Sequence, residues 1–224
     1  MTTALAFSGG KDSMVCLFLM QGSLDFAIYV DTGYAYPETL ALVDFAKTMI
    51  PVHVVKSDRA VQNEREGIPA DVVPIDWTSL GQQITGVKPV KLQSYLGCCY
   101  ESISMPLLNK AKELGVAELV YGQRNEEGYK SPARDGQIVD GITRTHPIES
   151  WTTAEVMAYL ATKMDIPGHF GIKHSSLDCY DCTAFRKDSA DRIEWTRNKY
   201  PVFYAEYAAR AAALNSALTQ AMEA

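Results

Sequence analysis

Residues 6–15 read AFSGGKDSMV. A short apolar run stops at Ser8, two adjacent glycines follow, and Lys11, Asp12 and Ser13 come directly after them. Gly9 and Gly10 let the backbone turn tightly and meet a ligand without a Cβ clash. The amides of a helix starting here would point at an anion, and its dipole would favour negative charge. Lys11 supplies a point charge, and the hydroxyls of Ser8 and Ser13 can donate hydrogen bonds. The guest such a loop suits is a phosphate or pyrophosphate group. Two other phosphate loops do not fit. G-x-x-x-x-G-K-[ST] needs a glycine where Leu5 stands and a hydroxyl where Asp12 stands, and G-x-G-x-x-G fails because Gly9 and Gly10 are adjacent.

A second group of reactive residues is the cysteines. Cys98 and Cys99 are adjacent, and Cys179 and Cys182 form C-x-x-C; the fifth, Cys16, lies in the apolar run MVCLFLM and reads as a small core residue. Two pairs of thiolates can close a four-sulfur site for zinc or for an iron–sulfur cluster. Adjacent cysteines are awkward for tetrahedral zinc and easier for a cubane, whose irons are spread out. Four unlinked thiols, or one redox pair at Cys179 and Cys182, are the alternatives.

Other residues carry weaker signals. Asp31, Thr32 and Gly33 follow a predicted strand and suit ribose, adenine or a metal, or a plain turn. Arg124 and Arg144 lie near predicted strand ends, where the planar guanidinium fork suits phosphate and ordinary solvation is the alternative. Lys56, Lys88, Lys91, Lys130 and Arg134 read mostly as surface charge. His146, His169 and His174 are candidate general bases that no spacing singles out. Tyr34, Tyr36, Tyr95 and Tyr100 can stack on a base or pack in the core.

The elements that must position these groups follow from the apolar pattern. Thr3–Phe7 reads as a buried strand, Asp12–Met20 as a buried helix and Phe26–Val30 as a second strand. Pro37 opens a helix over Glu38–Met49, and Val52–Lys56 is a third strand. This β-α-β-α-β series predicts a doubly wound parallel sheet of about five strands in an α/β fold. Residues 67–93 read as irregular and rich in Pro and Gly. A helix is expected over Cys98–Leu114 with Gly115 as its stop, then a strand over Ala117–Gly122. A short strand within Gly141–Ile148 precedes a helix over Thr153–Lys163. Tyr200–Ala224 is expected to be a terminal helix. The expectation is a single domain over 1–224, with a core over 1–187 and a helical tail over 188–224.

Composition limits the classes. The 224 residues are 47% hydrophobic, with five cysteines and a net charge of −6. The acidic balance argues against a broad, sequence-blind nucleic-acid surface. No apolar stretch approaches the roughly 20 residues that span a bilayer. MTTALAF has neither a basic leader nor a long apolar core, so a cytoplasmic protein with no membrane association is expected.

SGGKDS resembles the PP-loop of the ATP pyrophosphatase families, which grips the β- and γ-phosphates of ATP while the α-phosphate is attacked. By that resemblance Ser8, Gly9, Gly10, Lys11, Asp12 and Ser13 hold ATP, and Asp12 helps place Mg²⁺, since a carboxylate beside a polyphosphate otherwise repels it. C-C, a gap of about eighty residues and C-x-x-C resemble the 4Fe–4S ligand set of adenylyl-sulfate reductases, which implies Cys98, Cys99, Cys179 and Cys182 as cluster ligands and makes zinc second. VDTGYAYPET, YGQRNEEG and RTHPIESWTTAEVMAYL resemble further segments of the same superfamily, in family order, from about Ala4 to Lys187. The resemblance is to the phosphoadenosine-phosphosulfate reductase-like superfamily, of adenine nucleotide alpha hydrolase-like fold.

Two departures shape the functional expectation. The reductases attack sulfate sulfur with a cysteine near the C-terminus, and no cysteine follows Cys182 here. They also carry a degenerate phosphate loop, and this one is intact. Both point to ATP use: adenylylation of a substrate with release of pyrophosphate, in sulfur transfer or nucleic-acid modification. Lys11, Asp12, Arg124 and Arg144 would be catalytic. The expected partners are a small-molecule nucleotide, a nucleic-acid or protein-bound sulfur acceptor and a sulfur or electron donor protein. A homodimer is a further expectation. A sulfite-forming reductase relying on an external thiol, and a non-catalytic nucleotide-binding redox sensor, are the alternative readings.

Overall fold

The computed structural model describes residues 1–128, 130–172, 178–186 and 188–223. The expectations for His174 and Lys187 lie outside the described residues. The chain opens with β1 (Thr3–Ala6), α1 (Lys11–Leu19), β2 (Phe26–Asp31), α2 (Pro37–Lys47) and β3 (Val52–Lys56). Then come α3 (Arg59–Glu66), β4 (Ile68–Ala70), α4 (Ser79–Thr85), β5 (Leu92–Ser94), α5 (Tyr95–Cys99) and α6 (Met105–Glu113). A π-helical segment, Tyr100–Ser104, joins α5 to α6. The remainder is β6 (Glu118–Val120), β7 (Ile138–Val139), β8 (Ile142–Thr145), α7 (Thr153–Ala161), α8 (Ala190–Lys199) and α9 (Pro201–Glu223).

The sequence suggested one domain, and within it the contacts gather into two compact units. The first comprises Met1–Asp31, Tyr36–Lys56 and Pro106–Gly171. Its six-stranded sheet has the order β3-β2-β1-β6-β8-β7. Every pair is parallel except β7–β8. The chain runs outward from β1 through β2 to β3, then returns to β1's other side with β6. That reversal makes the carboxyl ends of β1 and β6 the place where an open α/β sheet binds ligands. Leu5, Val120 and Tyr29 from the sheet pack with Met14, Val15 and Leu17 of α1 and Val156 and Leu160 of α7. The near-continuous apolar character of α1 follows from this burial.

The sheet is thus α/β and mostly parallel, as the sequence predicted, with one strand more than the five expected. The sixth, β7, is an antiparallel edge strand. Val139 pairs with Ile142 across Asp140 and Gly141, whose φ angles are +53° and +77°. Two left-handed residues make the tight hairpin turn that Asp-Gly favours.

The second unit comprises Thr32–Ala35, Ser57–Met105 and Ile172–Ala224. The stretch over 67–93, expected to be irregular, contains β4, a 3-10 turn at Ile75–Trp77 and α4, and β4 pairs in parallel with β5. Strands of three residues are too short to show alternation, and Pro69 disguises β4. Ala70, Trp77 and Leu92 share a small core with Leu214 and Ala217 of α9. The helix expected to begin at Cys98 begins at Tyr95, where the Ser94 hydroxyl accepts from the Leu96 amide at 3.2 Å. The predicted terminal helix is α9, preceded by α8, with Pro201 as its first residue. Among the described residues no helix is long and apolar enough to cross a membrane.

Candidate functional site

The glycine loop connects β1 to α1 in the first unit. Gly9 has φ of +72°, and a Cβ there would lie 3.0 Å from Thr39 Cγ2. A side chain would therefore meet both backbone strain and α2. The loop is cross-tied by its own hydroxyls. Ser13 Oγ donates to the Gly10 carbonyl at 2.9 Å, and the Ser8 and Gly10 amides donate to the Ser13 and Ser8 hydroxyls at 3.4 and 3.3 Å. No side chain caps α1. Its first amides are left to a ligand, as an anion seat requires.

Asp12 sits between two cations. Arg124 Nε donates to its Oδ1 at 2.6 Å, and Lys11 Nζ lies 3.4 Å from Oδ2. The rest of the Arg124 fork is also committed: Nη1 donates to Glu126 Oε2 at 3.0 Å and to Thr153 Oγ1 at 3.2 Å. Glu126 in turn accepts from the Thr153 amide at 2.8 Å, which holds its carboxyl below the usual range. Arg124 thus ties the loop after β6 to the start of α1 and the start of α7. Its geometry is that of a residue that orients Asp12. Glu127 accepts from the Arg124 amide at 3.2 Å; burial raises its carboxyl, and the Asp12 charge adds to that. Gly122 makes this approach possible, because a Cβ there would be 2.6 Å from the Asp12 carbonyl carbon.

Arg144 is 3% exposed, its guanidinium 5.8 Å from the Tyr121 ring centroid, and its Nη1 has no hydrogen-bond partner. His146, also 3% exposed, has neither ring nitrogen hydrogen-bonded, and burial lowers its pKa. His169 packs edge-on against Phe170. Cys16 is core, as expected, with its thiol pushed up to about 12 chiefly by burial.

The four remaining cysteines all fall in the second unit. Cys98 and Cys99 end α5, and Cys179 and Cys182 lie in the loop before α8. Burial pushes the Cys99 thiol up to about 12, with Cys182 and Cys98 adding to the shift, and raises Cys179 and Cys182 as well. Uncoordinated, these three stay neutral near pH 7. Among the described residues no three His, Cys, Asp or Glu side chains group as ligands of a metal ion.

The thiols are framed by residues that carried no signal in the sequence. Arg59 is 1% exposed and pairs through both Nη atoms with Asp181, at 3.3 and 2.8 Å. Arg210 Nη1 shares the same carboxylate at 2.6 Å, and its Nη2 donates to Asn63 Oδ1 at 3.1 Å. Asn63 Nδ2 donates to Cys98 Sγ at 3.9 Å. Cys179 and Cys98 lie near the Arg59 guanidinium, whose Nε is buried without a hydrogen-bond partner. Only the i, i+4 spacing of Arg59 and Asn63 on α3 was visible beforehand, and it is indistinguishable from an ordinary surface face.

Of the segment after β2, Asp31 ends the strand in the first unit and Thr32 and Gly33 belong to the second. Thr32 Oγ1 donates to the Asp178 carbonyl at 3.0 Å and accepts from Cys179 Sγ at 3.7 Å, so its hydroxyl braces the cysteine loop. Tyr34 lies under the Arg59 guanidinium at 4.3 Å and against Tyr180. Tyr36 is fully buried and Tyr95 packs on Phe185. These three rings are packed into the protein, and Tyr100 is 56% exposed.

Comparison with curated proteins finds no match. Among solved structures, the chain resembles phosphoadenylyl-sulfate reductase from Candida auris at 20% identity and a TM-score of 0.49, over 75% of this chain and 76% of that one. FMN adenylyltransferase from Candida glabrata matches at 13% identity and 0.44, over 73% and 48%. A predicted subunit of tRNA methyltransferase from Methanocaldococcus jannaschii matches at 15% and 0.37, over 74% and 76%. The sequence profile of the phosphoadenosine phosphosulfate reductase domain matches residues 2–185, which include the glycine loop, the Arg124 segment and all four clustered cysteines. The chain belongs to the phosphoadenosine phosphosulfate reductase domain family.

Proposed function

We propose that the protein is an ATP pyrophosphatase-type member of this family. It adenylylates an acceptor with release of pyrophosphate, in sulfur transfer or nucleic-acid modification. The observation that carries this reading is the Ser8–Ser13 loop: a left-handed Gly9, an uncapped α1 and Lys11 at the carboxyl end of β1. The β- and γ-phosphates lie on the α1 amides and Lys11. An acceptor oxygen attacks the α-phosphorus, the Pα–O–Pβ bond breaks, and pyrophosphate leaves. A sulfur nucleophile, supplied by a donor protein or small molecule, then displaces AMP from the acceptor. Lys11 and the amides stabilise the charge that develops on the leaving phosphates. Arg124 acts through Asp12 as a positioning residue. Asp12, whose Oδ2 is the oxygen turned from Arg124, would hold Mg²⁺ together with the phosphates; the ion would supply further charge neutralisation.

Cys98, Cys99, Cys179 and Cys182 would hold a 4Fe–4S cluster. Four sulfurs from two segments of one unit fit that donor set, and the unpartnered Arg59 Nε and the Asn63 amide suit an anionic sulfur face. When bound, the cluster would supply an electron-transfer centre. The redox-sensor reading is favoured by one contact, Thr32 to Cys179, which links the Asp-Thr-Gly segment to the thiols.

The test is pyrophosphate release by anaerobically purified protein given Mg²⁺, ATP and nucleic-acid or thiol acceptors, with Lys11→Ala alongside. We expect release by the parent and at least tenfold weaker ATP binding by the variant. ATP binding unchanged in K11A, with no release under any condition, would overturn the reading. Tight binding without turnover that changes on thiol oxidation would favour the sensor.

A further inference from the structure

We infer that Gln123, Arg144 and His146 form a second oxyanion seat, built for a phosphate- or sulfate-type group other than the one held by the glycine loop. Three polar side chains, on or just after β8 and just after β6, are each more than nine-tenths buried, and each carries a nitrogen without a hydrogen-bond partner. Gln123 is 8% exposed, and Arg144 and His146 are 3% exposed. The atoms without partners are Gln123 Nε2, Arg144 Nη1 and both ring nitrogens of His146. Buried polar groups are nearly always hydrogen-bonded, and leaving one bare costs stability. Bare nitrogens on neighbouring segments therefore point to a ligand as their partner.

The fold brings Arg144 and His146 together. β6 and β8 run parallel with Leu119 opposite Arg144, so alternation sets Tyr121 and His146 on the same face as Arg144. The Tyr121 ring touches both: it lies 5.8 Å from the Arg144 guanidinium and 5.8 Å from the His146 ring. The segment 131–137 covers the group. Ser131 N donates to Gln123 Oε1 at 2.7 Å, which turns the amide nitrogen away from that bond. Asp135 Oδ1 accepts from the His146 amide at 2.7 Å, and Gly136 and Gln137 bond the Arg144 backbone at 2.8 Å each. These bonds hold the covering segment through backbone groups and leave the side-chain nitrogens bare.

The chemistry of the guest follows from the donors. Arg144 makes no salt bridge among the described residues, and although the Asp135 and Asp140 carboxyls lie nearby, its Nη1 is left to take an anion. Gln123 Nε2 and Arg144 Nη1 donate. A neutral imidazole offers one donor and one acceptor. Two or three oxygens bearing negative charge, one of them protonated where it meets His146, describe a tetrahedral oxyanion. The seat lies at the carboxyl ends of β6 and β8, and Gly122 rests against Asp12 and Ser13. It therefore shares a sheet edge with the glycine loop and stands independently of ATP use there.

Inorganic phosphate, inorganic sulfate and methyl phosphate are titrated at constant ionic strength, with binding read by calorimetry and by melting temperature. We expect saturable binding of at least one oxyanion. Equal binding of methyl phosphate would assign the seat to the ester end of a larger molecule, and its exclusion would assign it to a free ion. The titrations are made on the Lys11→Ala variant, whose glycine loop is weakened, and there Arg144→Met should weaken the remaining binding at least tenfold. Gln123→Glu keeps the Ser131 bond and brings a carboxylate to Arg144. That variant should melt higher than the parent without phosphate and lose the phosphate-induced rise. Oxyanion binding unaffected by Q123E and R144M, or abolished by K11A, would overturn the proposal, as would no binding of any of the three ions.

Discussion

Inside the glycine loop, the hydrogen bonds join residues no more than five apart. Around the thiols, the side-chain bonds from Arg59, Arg210 and Thr32 reach residues 29 to 147 apart, and the centre of the network is a buried carboxylate shared by two arginines. The loop is a contiguous device. Its shape depends on two glycines and two serines, and its open donors face outward. The thiol region is assembled from Thr32, α3, α5, the loop before α8 and α9, so its geometry depends on the whole second unit. Contiguous sites tolerate change elsewhere in the fold, whereas assembled sites fail when one charged member is removed.

The largest effect is expected from breaking the assembled region. Asp181→Ala leaves Arg59 buried without its carboxylate, and such losses cost about 3–5 kcal/mol. Urea denaturation should show a lower midpoint, and the clustered thiols should become reactive to alkylation in step. A midpoint like the parent's would show that the ion pair does not organise the unit.

Next is Gly122→Val. The added carbons meet the Asp12 backbone, and overpacking of this kind costs about 1–3 kcal/mol. ATP binding should fall with it, because the start of α1 must move. Arg124→Met sharpens the comparison, since it removes charged hydrogen bonds worth about 1.5–3 kcal/mol from Asp12 without touching the loop's own bonds. ATP affinity should drop more than tenfold in calorimetry, while Gly9→Ala, which strains the loop itself, should lose it further. Equal binding by R124M and parent would detach Arg124 from the site.

The smallest effects come from peripheral features. Thr152→Ala removes the capping box of α7, in which Thr152 accepts from the Glu155 amide and Glu155 accepts from the Thr152 amide, for about 1 kcal/mol. Burial holds His146 below its unfolded pKa of 6.5. The unfolded chain then binds the proton more readily, so stability is unaffected above 6.5 and declines as pH falls below it. His146→Gln should flatten that decline in melting curves between pH 7 and 5. A slope unchanged by the substitution would assign it to other groups.

Much of this molecule was legible from its residues. The β-α-β-α-β opening was read correctly because buried strands and helices of a parallel sheet are nearly all apolar and sharply bounded by Gly, Asp and Pro. The hairpin that adds β7 was missed although Asp140-Gly141 marks it, because two-residue strands have no periodicity to detect. β4 and β5 were missed for the same reason, with Pro69 as a further disguise. Arg124 was picked out by its place after β6, but its engagement with Asp12, Glu126 and Thr153 depends on contacts 112, 2 and 29 residues away.

The sequence by itself determined the α/β class and the glycine loop, because each rests on residues near one another along the chain, where local sterics and hydrogen bonding decide conformation, and the family, because its motifs follow in order over residues 2–185. Only the tertiary structure decided that Thr32 and Tyr34 brace the cysteines, that Arg59, Asn63, Asp181 and Arg210 frame them, and that Arg144 is buried near His146 with its Nη1 unpartnered. Charge pairing and desolvation depend on distance through space, and residue types in order along a chain do not encode that distance until the sheet has set the registers.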